Sequence, residues 1–251
     1  MKILQSYVFG SEPFRRLSVL PNMDIKGKLA IVTGVSKGIG LETVKLLLQE
    51  GAVVAGWGRT SADIDHENYH FFKTDVSNWD QVQASFKATK EKLGKTSILV
   101  NNAGMGYQGL IHEMDVEEWK YMFDLNVHGL FYCIKQVVPD MIEMEEGHIV
   151  NLSSIAGTNG VKTMSGYVGT KHAVTGIGHS IFQELRDHGI KVTTVYPGST
   201  NTNFFDSIEF ANANENMMRP QDIAQSIVQS VQTHANYHVV DLEVRPLKPK
   251  G

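Results

Sequence analysis

Residues 28–59 read KLAIVTGVSKGIGLETVKLLLQEGAVVAGWGR, and the order of apolar runs and glycines in this stretch decides the fold. Leu29–Thr33 is a short apolar run that predicts a buried strand, and a glycine-rich turn follows it directly. Leu41–Glu50 has helical periodicity closed by Gly51, and Val53–Trp57 predicts a second strand. A strand, a helix and a second strand in this order predict a βαβ unit with parallel strands.

The same alternation of strand and helix continues along the chain. Further strands are predicted at 71–74, 98–101, 148–152, 192–196 and 239–244, and helices at 79–93, 117–144, 165–188 and 222–233. Strands buried on both faces read as continuous apolar runs, and regular alternation indicates a parallel sheet. The sequence therefore predicts an α/β fold, a Rossmann-like doubly wound sheet with helices on both sides, in a single domain.

Composition excludes several classes of protein. The chain has 251 residues, of which 42% are hydrophobic and 20% charged, and its formal net charge is −4. This charge predicts no basic surface for nucleic acid or an anionic membrane, and no apolar run reaches the roughly 20 residues of a transmembrane helix. Cys133 is the single cysteine, which excludes an internal disulfide and a cysteine-based zinc site. We expect a cytoplasmic protein that binds neither nucleic acid nor membrane.

Residues 1–22 differ from the rest of the chain. They carry three basic residues against one acid, and they lack the continuous apolar segment of a secretory signal. A basic, acid-poor segment is compatible with a transit peptide, but we favour an extension upstream of the domain. The prediction is an N-terminal extension over 1–22 and one domain over 23–251.

The glycine-rich turn predicts a site for a phosphate-bearing cofactor. Gly34, Gly38 and Gly40 let the backbone turn tightly and approach a pyrophosphate at the helix N-terminus. In dinucleotide folds an acid about 20 residues further on holds the ribose hydroxyls, but this chain has Arg59 at that point. Because Lys37 and Arg59 converge there, a ribose 2′-phosphate is attracted, and NADP(H) is favoured over NAD(H).

Polar motifs follow three more of the predicted strands. They are NNAG at 101–104, SS at 153–154 and PGSTNT at 197–202. Tyr167 and Lys171 lie one turn apart near the start of a long helix, so both side chains are on one face. Because ligands bind at the carboxyl edge of such sheets, these groups predict a single site.

Two other motifs are interpreted as coincidental. Tyr69 and Lys73 have the same spacing as Tyr167 and Lys171, but they fall on a strand, where four residues span about 13 Å. Residues 66–70 read HENYH, which matches a zinc-protease signature. That chemistry needs both histidines on one helical face and a third ligand, so no metal site is predicted here.

Together the motifs resemble the short-chain dehydrogenase/reductase family, compact single-domain type. The motifs are TGVSKGIG at 33–40, Asp75-Val76, NNAG at 101–104, Asn126, Ser154, Tyr167, Lys171 and Pro197-Gly198. The resemblance implies a three-layer αβα fold with a seven-stranded parallel sheet, so that 23–251 is a dinucleotide-binding catalytic domain. It implies a catalytic set of Asn126, Ser154, Tyr167 and Lys171. The predicted cofactor-binding residues are Gly34, Ser36, Lys37, Gly38, Ile39, Gly40, Arg59, Asp75, Val76, Asn102, Ala103, Gly104, Tyr167, Lys171, Pro197, Gly198 and Thr202.

These assignments predict an oxidoreductase that transfers a hydride between NADP(H) and a small carbonyl or alcohol substrate. Tyr167 is the expected general acid in reduction, and the ammonium of Lys171 is expected to lower the phenol pKa. Ser154 is expected to polarise the substrate oxygen, and the family assigns Asn126 to a water-linked proton relay. The alternatives are a 3-oxoacyl-thioester reductase, a non-catalytic NADP sensor and a zinc hydrolase.

Three further expectations concern the surroundings of the site. Ser199–Met218 is polar but contains several aromatic and methionine residues, so it is predicted to be a lid that holds substrate specificity. Thr60–Asn68 is too short for a full helix, so the adenosine side of the site is expected to be irregular. Helices 117–144 and 165–188 resemble the pair that joins subunits in family dimers and tetramers, which predicts a homodimer or homotetramer.

Overall fold

The structure is a computed structural model, and it describes residues 24–202 and 216–248. The predicted N-terminal extension and positions 203–215 of the predicted lid lie outside the described residues. No helix within the described ranges is both long and apolar enough to cross a membrane.

Seven strands form one sheet, and every neighbouring pair is parallel. They are β1 (Leu29–Thr33), β2 (Val53–Gly58), β3 (Tyr69–Lys73), β4 (Thr96–Asn101), β5 (Gly147–Leu152), β6 (Ile190–Pro197) and β7 (Asp241–Val244). Their spatial order is β3-β2-β1-β4-β5-β6-β7, so the chain winds outward from β1 in one direction and then in the other. This confirms the predicted Rossmann-like, doubly wound α/β fold in a single domain.

The helices cover both faces of the sheet. They are α1 (Gly38–Gln49), α2 (Trp79–Leu93), α3 (Val116–Phe123), α4 (Gly129–Met144), α5 (Ser165–Leu185) and α6 (Pro220–Val231). A π-helical turn, Asp124–His128, joins α3 to α4, so the helix predicted over 117–144 is continuous but locally widened. The segment between β2 and β3 contains no helix, as its length predicts.

Alternating residues of β1 contribute to two separate hydrophobic cores. Ala30 and Val32 pack in the core beneath α1 and α6, whereas Leu29 and Ile31 pack in the core beneath α2, α4 and α5. All four side chains are buried, because helices cover both faces of a parallel sheet. The sheet is therefore a rigid platform whose carboxyl edge carries the loops that hold the site.

Candidate active site

A cavity of about 710 Å³ runs along the carboxyl edge of the sheet. All the predicted site residues except Gly40 and Asn126 line it. The loops after the first six strands, β1 to β6, therefore converge on one cavity, as the sequence predicts. Arg59 and Asp75, which follow β2 and β3, line one end of the cavity, and Ser154 and Tyr167, which follow β5, line the other.

At two positions in the turn after β1, Gly34 and Gly40, there is no room for a residue larger than glycine. A Cβ atom on Gly34 would lie 2.9 Å from Ala103 Cα, and its φ of +71° lies in the left-handed region. A Cβ atom on Gly40 would overlap the Gly34 carbonyl oxygen and the Asn102 side chain. Gly40 thus contributes by close packing behind the turn, not by lining the cavity. The close approach leaves the turn open toward the cavity.

Thr33 and Asn102 hold this turn against the loop after β4. The Thr33 hydroxyl oxygen accepts hydrogen bonds from the backbone N–H groups of Asn102, at 3.0 Å, and Ala103, at 2.9 Å. The Asn102 amide donates to the carbonyl oxygens of Thr33, at 2.8 Å, and Gly34, at 3.0 Å. The phosphate turn is therefore held in place by Asn102 and Ala103 of the NNAG motif. The sequence analysis did not assign this role to Thr33.

The residues present fit a dinucleotide cofactor. Helix α1 begins at Gly38, and Lys37 at its N-cap makes no side-chain cap, so the N-terminal N–H groups face the cavity without a capping side chain. Lys37 and Arg59 add two positive charges at the cavity wall, where the phosphate groups of a dinucleotide would need them. The cofactor would be held by the glycine turn, the N-terminus of α1 and the side chains of Lys37 and Arg59.

Ser154, Tyr167 and Lys171 meet at the other end of the cavity. The Ser154 side chain caps a short 3₁₀ helix, accepting from the Ala156 N–H at 3.1 Å, and it also hydrogen-bonds the Tyr167 phenol. Lys171 lies one turn further along α5, and its Nζ donates to the Leu152 carbonyl oxygen at 2.6 Å. Ser153 donates to the Lys171 carbonyl oxygen at 3.0 Å, so it joins the end of β5 to α5.

Burial controls the titration of both Tyr167 and Lys171. It raises the pKa of Tyr167 to about 12, with the Ser154 hydrogen bond opposing the rise, and it lowers the pKa of Lys171 to about 8. The expected lowering of the phenol pKa by Lys171 is therefore not found here. The physical reason is that desolvation of the phenol is the largest effect, and the lysine nitrogen is directed to a backbone carbonyl.

Asn126 lies in the π-helical turn and braces the loop after β4. Its Nδ2 donates to the Met105 carbonyl oxygen at 2.8 Å and to Thr170 Oγ1 at 3.0 Å, and its Oδ1 accepts from the Met105 N–H at 2.9 Å. A second cavity, of about 10 Å³, is lined by Asn126, Lys171 and Leu152 among others. Its size approaches what one water molecule needs.

Several wall residues were not assigned from the sequence. They are Gln108, Val161, Lys162 and Thr163, which line the cavity beside Met105 and Met164. Thr163 has a φ of +65°, and its carbonyl oxygen accepts from the Gly109 N–H at 2.9 Å, which joins two loops at the cavity mouth. A β-branched residue in a left-handed conformation carries no sequence signal that would predict it.

The two motifs interpreted as coincidental lie away from this site. Tyr69 and Lys73 are the first and last residues of β3, so they are at opposite ends of one strand. His66 lies in a turn and His70 in β3, not on one helical face. Within the described ranges, no group of three or more His, Cys, Asp or Glu side chains is placed to hold a metal ion.

Comparison with known proteins identifies the family. The family model described as short chain dehydrogenase matches residues 28–213. An uncharacterized oxidoreductase of Staphylococcus saprophyticus is 32% identical over 235 residues, which are 90% of this chain and 100% of that protein.

Solved structures share the fold along most of the chain. The ligand-free aldohexose dehydrogenase of Thermoplasma acidophilum has a TM-score of 0.82 and 28% identity, covering 90% of this chain and 95% of that one. A closed serine dehydrogenase complexed with NADP+ has a TM-score of 0.79 and 25% identity, covering 86% and 94%. The 3-ketoacyl-(acyl-carrier-protein) reductase of Brucella melitensis, complexed with NADH, has a TM-score of 0.79 and 25% identity, covering 89% and 98%. With the family model and the curated relative, these likenesses show that the chain is an oxidoreductase and belongs to the short chain dehydrogenase family.

Proposed function

We propose that the protein is an NADP(H)-dependent oxidoreductase that interconverts a carbonyl and an alcohol, with Tyr167 as the proton donor and acceptor. One observation carries the proposal. Ser154, Tyr167 and Lys171 converge at one end of a cavity whose other end carries an open phosphate turn and Arg59. One cavity of about 710 Å³ thus joins the proposed dinucleotide site to the proposed proton donor.

When bound, the nicotinamide ring supplies or accepts the hydride. The protein's own residues handle the proton. As negative charge develops on the substrate oxygen, the Ser154 hydroxyl donates a hydrogen bond to it, and the Tyr167 O–H bond breaks as the new alcohol O–H bond forms. Because burial raises the pKa of Tyr167 to about 12, the phenol stays protonated at neutral pH and is ready to donate.

Lys171 is proposed to stabilise the phenolate that remains after proton transfer. Its Nζ lies 5.7 Å from the centroid of the Tyr167 ring, and both side chains are buried. In such a site an opposite charge at this distance is screened less than in water. The small cavity between Asn126 and Lys171 supports a relay in which a water molecule returns the proton, and Lys171 is also proposed to hold the nicotinamide ribose.

The preference for NADP(H) rests on charge at the adenosine end. Arg59 occupies the place where an NAD site has a carboxylate, and it lines the cavity together with Lys37. A serine dehydrogenase with a similar fold is complexed with NADP+, which agrees with the proposal, whereas the Brucella reductase is complexed with NADH. The proposed preference for NADP(H) therefore rests on the positive charge of the cavity wall. It is tested by comparing the affinities of the protein for NADPH and NADH.

A 3-oxoacyl-thioester reductase is the second candidate, favoured by the fold of the Brucella reductase. An acyl carrier partner is acidic, and the predicted lid holds Asp206, Glu209 and Glu215, with one basic residue, Arg219, directly after it, so like charge disfavours this partner. An acetoacetyl thioester in the substrate panel separates the two candidates directly.

The experiment is NADPH consumption against ketones, aldehydes, keto-sugars and an acetoacetyl thioester, with NADH in parallel. Turnover of one class with NADPH, and much less with NADH, supports the proposal and names the substrate class. Preference for NADH overturns the cofactor assignment. NADPH that binds but is never consumed, across the whole panel, favours the sensor alternative instead.

Subunit contacts, domain limits and location are also proposals. We propose one catalytic domain over 23–251, a cytoplasmic location, and a homodimer or homotetramer joined through the helices predicted at 117–144 and 165–188. Phe131 on α4 is 49% exposed and Ile142 is 37% exposed, which supports an apolar contact on that helix. Light scattering at micromolar concentration tests this, because a monomeric mass contradicts it.

A further inference from the structure

Arg59 is held by a residue that lies behind the cavity wall. Arg59 Nη1 donates a hydrogen bond to the phenol oxygen of Tyr121, at 2.8 Å, across 62 residues of sequence. Arg59 directly follows β2 and lines the cavity, whereas Tyr121 lies on α3 and is not among the cavity's lining residues. The contact therefore joins the residue proposed to bind the 2′-phosphate to a helix outside the site.

Helix α3 gives Tyr121 a firm position. Asp115 caps the helix, accepting from the N–H groups of Glu117 at 2.8 Å and Glu118 at 3.0 Å. Met122, the next residue, is fully buried, and the Tyr121 ring packs against the core beneath α2, α4 and α5. An arginine that hydrogen-bonds such a residue is confined to few conformations.

Tyr121 is a neutral phenol, and its oxygen accepts a hydrogen bond from the Arg59 guanidinium. Burial is the largest cause that raises the pKa of Tyr121, the nearby charge of Arg59 opposes the rise, and Asp75 adds to it. Arg59 has five N–H donors and uses one on Tyr121. The remaining edge of its planar fork is available for two phosphate oxygens.

We propose that Tyr121 is a positioning residue that holds Arg59 in the orientation that binds the 2′-phosphate, and thereby sets the preference for NADP(H) over NAD(H). This inference rests on the proposed function. An exposed arginine loses conformational freedom when it binds a ligand, and fixing it beforehand reduces that loss. Because NAD(H) lacks the 2′-phosphate, the effect is confined to NADP(H).

The test compares dissociation constants of NADPH and NADH, measured by nucleotide fluorescence, for the full chain. Variants are Tyr121→Phe, Arg59→Ala and the double variant, with Tyr132→Phe as a matched control. Tyr132 lies on α4, where its ring contacts Trp79. Tyr121→Phe is expected to weaken NADPH binding about threefold to tenfold, the range of one hydrogen bond. NADH binding is expected to be unchanged, and Tyr132→Phe is expected to change neither.

The double variant separates positioning from a general structural effect. With Arg59 already replaced, adding Tyr121→Phe is expected to cause no further loss of NADPH affinity. Equal loss for both cofactors, or tighter NADPH binding in Tyr121→Phe, overturns the inference. An unchanged NADPH/NADH ratio in Tyr121→Phe also overturns it, but leaves the proposed function standing if Arg59→Ala removes the preference. If Arg59→Ala leaves the preference intact, the cofactor assignment itself fails.

Discussion

Lys171 Nζ lies 5.7 Å from the centroid of the Tyr167 ring, yet its hydrogen bond at 2.6 Å goes to the Leu152 carbonyl oxygen and not to the phenol. Both side chains are buried. Burial disfavours the phenolate form of Tyr167 when Lys171 is neutral, and it disfavours the ammonium form of Lys171 when Tyr167 is neutral. Burial places their pKa values at about 12 for Tyr167 and about 8 for Lys171. The pair is therefore most stable as a phenol beside an ammonium at neutral pH.

Tyr167→Phe removes the proposed proton donor and leaves the ring in place. We expect the turnover number to fall by about a hundredfold to ten-thousandfold, the usual contribution of a positioned acid or base. NADPH affinity is expected to stay within a factor of about two, because the lost group is a hydroxyl at the substrate end. Initial rates and an NADPH fluorescence titration measure the two effects. Turnover close to that of the wild type contradicts the assignment of Tyr167.

Lys171 makes cofactor affinity depend on pH above neutrality. Its pKa is about 8, so its positive charge is lost as pH rises through that value. An anionic cofactor stabilises the charged lysine, which raises its pKa, and affinity must then decline as pH rises from about 7 to 9.5. NADPH dissociation constants across this range measure the effect. Lys171→Met is expected to bind more weakly and independently of pH, so a parallel decline in that variant contradicts the prediction.

The fold could be predicted from sequence because its signals are local. Helix α2 has the predicted bounds, since Asn78 caps its start by accepting from the Gln81 N–H and Gly94 ends it. The strands lie close to the predicted positions because buried parallel strands read as apolar runs. The glycine turn and the Tyr167–Lys171 spacing are local too, and the structure places these residues around one cavity at the predicted edge of the sheet.

The features that sequence could not predict depend on distant contacts. Arg59 and Tyr121 are 62 residues apart, and no periodicity pairs them. The π-helical turn places Asn126 where its side chain bonds the Met105 backbone and Thr170, which are 21 and 44 residues away in the sequence. The pKa of Tyr167 depends on how deeply the ring is buried, which the spacing to Lys171 does not determine.

Gly40→Ala is expected to disrupt the phosphate turn, because the added Cβ atom meets the backbone carbonyl of Gly34. We expect the free energy of unfolding to fall by about 1–3 kcal/mol, and NADPH binding to be lost or strongly weakened. Gly176→Ala is the matched control, because a Cβ atom there has no neighbour within 4 Å and the position is inside α5. It is expected to stabilise the protein by up to about 1 kcal/mol. Urea unfolding measures the stability of both variants, and NADPH titration measures their cofactor affinity. Equal changes in Gly40→Ala and Gly176→Ala contradict the prediction.

Thr163 carries backbone strain at the mouth of the cavity. Its φ of +65° brings the Cβ atom close to the following carbonyl oxygen, which costs about 1–2 kcal/mol, whereas an asparagine side chain offsets this by hydrogen-bonding locally. Thr163→Asn is therefore expected to raise the free energy of unfolding by about 1 kcal/mol, and Thr163→Ala, which keeps the strain, is not. Because Thr163 lines the substrate end, KM for the carbonyl substrate is expected to change while NADPH affinity does not. A gain from both variants contradicts the assignment of strain.

His148 is predicted to make the fold sensitive to mild acid. It is fully buried, and its Nε2 pairs at 2.8 Å with the Thr193 hydroxyl, which itself donates to the Val239 carbonyl oxygen. The Thr193 oxygen must therefore accept, so Nε2 carries the proton of the neutral ring. The other ring nitrogen, Nδ1, has no hydrogen-bond partner within the described part of the protein. A second proton would consequently enter a site with no acceptor for it.

Burial, followed by the nearby His238 and Lys191, lowers the pKa of His148 to about 3, from about 6.5 in the unfolded chain. Between these two pKa values the unfolded state binds more protons than the folded state. The contribution of the neutral ring to the free energy of unfolding is therefore fully present above pH 6.5, and it falls as pH decreases, by up to about 1.4 kcal/mol per pH unit. His238, whose pKa is also lowered, adds to the slope. Urea unfolding between pH 7.5 and 5 avoids most carboxylate titration and measures it. His148→Gln is expected to be less stable at pH 7.5 but to have a shallower decline, and an equal decline in both proteins contradicts the role of His148.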